Sequence, residues 1–322
     1  MTVKMLNNIV AAINGHERFL VLAHEGPDGD AMGSTLALAN ILREMGKQVV
    51  AFNVDGVPAK FSFLPGAAAV RTELAADERF DVAFVLDAGE LRRAGIDVAR
   101  HAAMLVNVDH HPHSEDFGAI YYVDSGASAT AALVYRILCA LQHPLSLSVA
   151  TCIYTGILAD TGSFRYSSAD PEAFAIAGKM VAAGVEPWQV AGGLYESQEL
   201  KRLQLLGLAL NTIQVSPCGR FAAMYLTREM FAQVGVGAEY ADSFVNYPRS
   251  VNGVEVALFF RQLDGDSYRI SMRSKGQVDV GALARELGGG GHHNAAGAEI
   301  SGDIDAIVAR VFERLGGLLA DH

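Results

Sequence analysis

Up to about residue 125, short apolar runs rich in β-branched residues alternate with stretches whose apolar positions fall three and four apart. FLVLA, in the 20–23 region, is followed by STLALANILREMG, then by QVVAFNV, DVAFVLD and AMLVNVD. Runs of that length bounded by turn residues predict strands, and their alternation with helical stretches predicts a mostly parallel sheet with helices on both faces. From 127 to 214 the pattern becomes largely helical, as in ATAALVYRILCALQ and SVATCIYTGILA. After Pro217 come the strand-like runs FAAMYL, VEVALFF and SYRISMR, then a glycine-rich segment and the helical stretch DIDAIVARVFERLG. The expected architecture is α/β throughout. It comprises a first domain over 1–195, a connecting helix over 196–215 and a smaller α/β domain over 216–322.

Composition narrows the class. A chain of 322 residues, 51% of them hydrophobic, can bury a large core and suits two domains. No apolar run approaches the roughly 18 residues of a membrane span, and the N-terminal stretch lacks a small-residue cleavage site, so a cytoplasmic protein without a membrane partner is expected. Cys139, Cys152 and Cys218 form no C-x-x-C pair and are odd in number, so neither a zinc ribbon nor a disulfide framework is indicated. A net charge of −11 disfavours a long electrostatic track along a polynucleotide. An anionic substrate must therefore be held locally, by metal or by a few arginines.

Chemistry-bearing residues gather where strands are expected to end. FLVLA runs into His24, Asp28 and Asp30, DVAFVL into Asp87, and AMLVNV into Asp109, His110 and His111; Asp160 follows the apolar stretch IYTGILA. In open α/β sheets the carboxyl ends of the strands are where ligands bind. Each aspartate alone can equally be a turn residue or a helix cap. DGD recurs at Asp264–Asp266 inside RQLDGDSYRI, where it reads as a hairpin turn. Together, however, the strand-end residues would crowd carboxylates that repel one another unless cations sit among them. Imidazole mixed with carboxylate suits manganese, iron or cobalt better than an all-oxygen magnesium site, and the number of donors suits two ions. Mn2+ is the expected working ion, with Mg2+ or Co2+ as substitutes.

These motifs, in this order, resemble the DHH phosphoesterase superfamily: HEGPDGDAMGS, the VLDAG of Asp87, the VDHH of Asp109–His111 and the ADTGSF of Asp160. GGGGHHNAAG, at 288–297, resembles the GGGHxxAAG signature of the DHH-associated C-terminal domain. The compact length points to the nanoRNase and phosphoadenosine-phosphate phosphatase branch rather than to the larger RecJ-like exonucleases. The resemblance implies that His24 and Asp28 ligate one metal, that Asp30, His110 and Asp160 ligate the other, and that Asp87 bridges them. It makes His111 a phosphate contact or proton donor supported by Asp109. Glu25 and Gly26 occupy variable positions, and an extra glycine precedes the GGGH; neither departure removes a ligand.

Substrate contacts are expected from the second domain. The amides of Gly289, Gly290 and Gly291 can cradle a phosphate, with His292 beside them. Arg269 and Arg273, four apart on one strand, share a face. Arg273-Ser274 resembles the family's substrate-binding pair, Arg261 on the neighbouring strand can face it, and Arg165 lies close in sequence to Asp160.

The expected activity is two-metal hydrolysis of short oligoribonucleotides (nanoRNA, dinucleotides) to mononucleotides, and of 3′-phosphoadenosine 5′-phosphate to AMP, in a cleft between the domains. Alternatives on the same residues are a phosphodiesterase for cyclic or linear signalling dinucleotides, a pyrophosphatase or polyphosphatase, and a nucleotide-binding module without catalysis. Homodimerisation is an analogy only.

Overall fold

The computed structural model describes residues 2–320. The chain forms two compact units, Met1–Ser197 and Gln198–His322. No helix among the described residues is long and apolar enough to cross a membrane.

The first unit runs α1 (Thr2–Gly15), β1 (Arg18–Leu22), α2 (Gly29–Glu44), β2 (Gln48–Phe52), β3 (Phe80–Leu86), β4 (Ala102–Asp109), β5 (Ile120–Val123), α3 (Thr130–Ala140), α4 (Leu147–Asp160), α5 (Pro171–Ala182) and α6 (Pro187–Tyr195). Its five strands are all parallel, in the order β2-β1-β3-β4-β5. Strands buried on both faces need not alternate in polarity, which is why FLVLA and DVAFVL are apolar throughout. One face of the sheet, carrying Phe19, Val21, Phe84 and Val106, shares one core with residues of α1–α6. The other, carrying Leu20, Leu22, Ala83 and Val85, is covered by loops and by the 3-10 turns Leu91–Ala94 and Val98–Arg100. The helices expected on both faces are α-helices on the first face and short 3-10 helices on the second. The segment 87–101 that covers much of it is interrupted by Gly89 and Gly95, both at positive φ, so neither of its 3-10 turns extends into an α-helix.

The second unit begins with α7 (Leu200–Leu210), followed by β6 (Gln214–Val215), β7 (Phe221–Leu226), α8 (Arg228–Val234), α9 (Asn246–Arg249), β8 (Val256–Gln262), β9 (Ser267–Ser274), α10 (Val280–Glu286), β10 (Gly290–His292), β11 (Ala295–Ser301) and α11 (Ile304–Ala320). The mixed sheet has the order β10-β11-β9-β8-β7-β6. The helix expected to connect the domains is not a bare connector: Leu205, Leu206 and Ala209 of α7 are buried in a core with Phe244 and Phe259 of the second unit. Asp264–Asp266 is the turn of the β8–β9 hairpin, closed by Leu263 N donating to Ser267 O at 2.7 Å, with Gly265 at φ +59°.

Candidate metal centre

The order β2-β1-β3-β4-β5 places a topological switch between β1 and β3, since β1 leads to β2 on one side while β3 leads to β4 on the other. His24 follows β1, Asp87 follows β3, and Asp109 closes β4 with His110 and His111 after it. Asp28 and Asp30 come from the start of α2. Asp160 ends α4, so it arrives from a helix terminus and not from a strand end. What brings that terminus to α2 is a close helix crossing. A Cβ on Gly33 would lie 2.6 Å from Cys152 O and 2.8 Å from Gly156 N, so only glycine permits the approach.

Three overlapping groups of donor atoms result, each with its atoms within 4.8 Å of one another: His24, Asp28 and Asp87; Asp30, His110 and Asp160; and Asp87, His110 and His111. Asp87 belongs to two of them. It sits at φ +56°, a conformation uncommon for any residue other than glycine, at the strand end from which its carboxylate meets both histidine loops. Its Oδ1 lies 3.6 Å from both His110 Nε2 and His111 Nδ1, and its Oδ2 lies 3.9 Å from His24 Nε2.

The imidazoles are oriented from behind. His24 Nδ1 lies 2.7 Å from Glu25 O and His110 Nδ1 3.2 Å from Ala127 O, so each donates there and turns its Nε2 lone pair toward the carboxylates. His111 is held through the same nitrogen, but by a carboxylate and not by a backbone carbonyl. Asp109, fully buried, takes His111 Nδ1–H at 2.7 Å on one oxygen and Gly89 N–H at 2.8 Å on the other. Burial opposes ionisation of Asp109, but the hydrogen bonds from His111 and Ser114 and the charge of the imidazole outweigh it and hold the carboxyl at about 2. The hydrogen bond to Asp109 in turn raises His111 against the opposing effect of burial.

The remaining carboxylates are poorly compensated by protein. Burial, then Asp160 and Asp28, push Asp30 well above the usual carboxylate range, although the amides of Ala131 and Thr130 pull the other way at 2.9 and 2.6 Å. Burial followed by Asp30, Asp28, Asp109 and Asp160 does the same to Asp87. Burial also raises Asp160. Among the described residues, no lysine or arginine nitrogen lies within 4.0 Å of Asp28, Asp30, Asp87 or Asp160; their only ion-pair partners are His24, His110 and His111. An oxygen and imidazole donor set that lacks positive charge fits divalent metal.

Two contributors carried no motif. Thr130 opens α3 and donates its hydroxyl to Asp87 Oδ1 at 3.0 Å while its amide holds Asp30. The only sequence signal was a hydroxyl residue ahead of an apolar helix. Arg93, half-buried, anchors Nη1 on Ala88 O at 3.0 Å and lies close enough to His111 for its charge to oppose the imidazolium.

In the second unit, Arg261 and Arg269 are register partners and line a cavity of about 530 Å³ together with Arg273, Ser271, Phe244 and Asp242. Ser274 does not join Arg273 there. Alternation turns its side chain to the opposite face, where it is buried and donates to Glu255 Oε1 at 3.2 Å. The glycine run is no open cradle either. Gly289 N already donates to Ala284 O at 2.8 Å, and Gly290 and Gly291 lie in β10, paired with Gly297 and Ala296. A Cβ on Gly291 would fall 2.4 Å from Ala296 Cα, so close strand pairing accounts for this glycine. His292 is exposed on the same edge strand, and His293 is anchored on Gly276 O at 3.0 Å. In the first unit, Arg165 is exposed with Nε donating to Gly162 O at 2.6 Å.

Residues 18–157 match the model of the DHH family, N-terminal domain, and residues 221–317 that of the DHHA1 domain. The bifunctional oligoribonuclease and PAP phosphatase NrnA of Thermus thermophilus is 31% identical over 312 residues, covering 96% of this chain and 92% of the relative. The protein of the same name from Bacillus subtilis is 29% identical, with 92% and 93% covered. Among solved structures, an exopolyphosphatase-related protein from Bacteroides fragilis superposes with a TM-score of 0.87 at 29% identity, covering 97% of this chain and 95% of that one.

Proposed function

The chain belongs to the DHH family, and from that premise we propose that it hydrolyses short oligoribonucleotides to mononucleotides and 3′-phosphoadenosine 5′-phosphate to AMP. It is a metal-dependent hydrolase of phosphoester bonds. The observation that carries this reading is the cluster of four aspartates faced by the Nε2 atoms of His24 and His110, with no lysine or arginine nitrogen among the described residues within 4.0 Å of it. Two ions are proposed, with manganese as the working metal. His24 and Asp28 would hold one, Asp30, His110 and Asp160 the other, and Asp87 would touch both. Bound divalent ions supply Lewis-acid activation of water and of a phosphoryl group.

The chain's own residues set the rest. Glu25 O and Ala127 O fix the tautomers of His24 and His110, and Thr130 holds the Asp87 carboxylate in place. His111, with Nδ1–H committed to Asp109, keeps Nε2 as the position from which a proton can reach a phosphate oxygen or the leaving group. Arg273, with Arg261 beside it, is the proposed nucleotide contact of the second unit; His292 is a further one, and Arg165 is proposed for a phosphate. The same chemistry also suits a signalling dinucleotide. Cys139, Cys152 and Cys218 are free thiols, which is in keeping with action in the cytoplasm.

The deciding experiment is manganese-supplemented hydrolysis of a dinucleotide, a five-residue RNA, a long RNA, 3′-phosphoadenosine 5′-phosphate, cyclic dinucleotides and pyrophosphate. Fast release of mononucleotide from the dinucleotide and of AMP from the bisphosphate is expected. Turnover of pyrophosphate alone would overturn the proposal.

A further inference from the structure

Beside the carboxylate cluster, wholly within the first unit, lies a cavity of about 190 Å³ that none of the roles above uses. One wall is Asp28, Asp30 and Asp160; the others are Lys60, Phe61, Leu194 and Tyr195. A cavity of this size is smaller than a whole small-molecule site and holds a part of a nucleotide. It opens onto the proposed reaction centre through the same aspartates that hold metal.

The far wall combines a cation, an aromatic face and apolar backing. Lys60 is exposed, and its ammonium lies 4.9 Å from the centroid of the neighbouring Phe61 ring. It shares the cavity with three carboxylates, yet no carboxylate oxygen among the described residues comes within 4.0 Å of it. Lys47, by contrast, is paired with Glu17 at 2.8 Å. Lys60 and the three aspartates line the same cavity, so an anion entering it meets the ammonium. Tyr195 is 48% exposed, and its hydroxyl is within 3.0 Å of Ser163 Oγ, a bond that fixes the ring while leaving its surface open. Phe61 and Leu194, both buried, back the pocket with apolar surface.

We propose that this cavity is a subsite for the second, non-scissile phosphate of the substrate and the base next to it, with Lys60 as the phosphate contact and Tyr195 as the stacking surface. The inference rests on the phosphoesterase reading and deepens it. A substrate with two phosphates, such as a 5′-phosphorylated dinucleotide or a nucleoside bisphosphate, needs a second cationic contact once the scissile group is at the metals. Aromatic stacking adds affinity without selecting a base, which suits mixed RNA fragments.

The test compares a 5′-phosphorylated dinucleotide with the same dinucleotide lacking that phosphate, in steady-state assays of the full chain with manganese. Lys60→Ala should raise KM for the phosphorylated substrate about tenfold more than for the other, with kcat much less affected. Lys60→Arg should recover most of that difference, and Tyr195→Ala should raise KM for both dinucleotides relative to bis-p-nitrophenyl phosphate. Equal losses on the two dinucleotides in Lys60→Ala would overturn the subsite while leaving the phosphoesterase reading intact. A changed manganese requirement in Lys60→Ala would also overturn it, because Lys60 would then act as a counterion of the cluster. If the wild type cleaves neither dinucleotide, the parent reading fails and the subsite falls with it.

Discussion

Thr130→Val isolates what a residue without a motif contributes to the centre. Valine keeps the branched shape at the start of α3 and the backbone amide that holds Asp30 at 2.6 Å, and removes only the hydroxyl that donates to Asp87 Oδ1 at 3.0 Å. Both side chains are buried, Thr130 at 0% and Asp87 at 2% exposure, so water cannot replace the lost donor. A hydrogen bond to a buried carboxylate is worth about 1.5–3 kcal/mol, and partners that orient metal ligands typically govern about 10- to 100-fold in affinity or activity. Titrating manganese against the metal-free protein, with turnover measured at each point, should therefore show metal affinity or kcat falling by about 10- to 100-fold. The circular dichroism spectrum should stay unchanged. A variant that bound manganese and turned over substrate like the wild type would refute the idea that Thr130 positions Asp87.

Asp87→Asn should abolish turnover and raise the melting temperature of the metal-free protein, since it removes a buried carboxylate that Asp30, Asp28, Asp109 and Asp160 all repel; differential scanning calorimetry with and without manganese measures both the gain and the lost metal response. Arg136, which bonds Asp124 at 2.6 Å and Glu172 through Nε at 2.9 Å, holds both carboxyls below their ordinary values, so its contribution is present above about pH 5 and fades as pH falls through their folded pKa values. Arg136→Ala should thus cost about 1 kcal/mol at pH 7, a figure kept low because the partners are about one-third exposed, and the difference should vanish in urea melts near pH 2. On a ladder of RNA lengths, rates should peak at about two to five nucleotides and vary little with salt, because a chain of net charge −11 has few cations to grip a long strand; rates that climb with length and collapse in salt would point to a processive exonuclease.

Local pattern was enough to read the strands β1 to β4 and β7 to β9, because an apolar run between turn residues has few other stable conformations. The metal-centre motifs were legible for a related reason. His24, Asp28 and Asp30 fall within seven residues, as a strand end feeding a helix N-terminus requires, and Asp109–His111 are consecutive. β10 escaped notice because glycines carry no hydrophobic period; their strand exists only through pairing with β11. Ser274 was misread by adjacency, since neighbours on a strand face opposite ways and only the packing decides which face is buried. Thr130 reaches Asp30 across 100 residues of chain, and the Lys60–Tyr195 cavity joins segments farther apart still. Such meetings depend on how α3, α4 and α6 dock on the sheet, a balance of many small packing contacts that no short stretch of residues encodes.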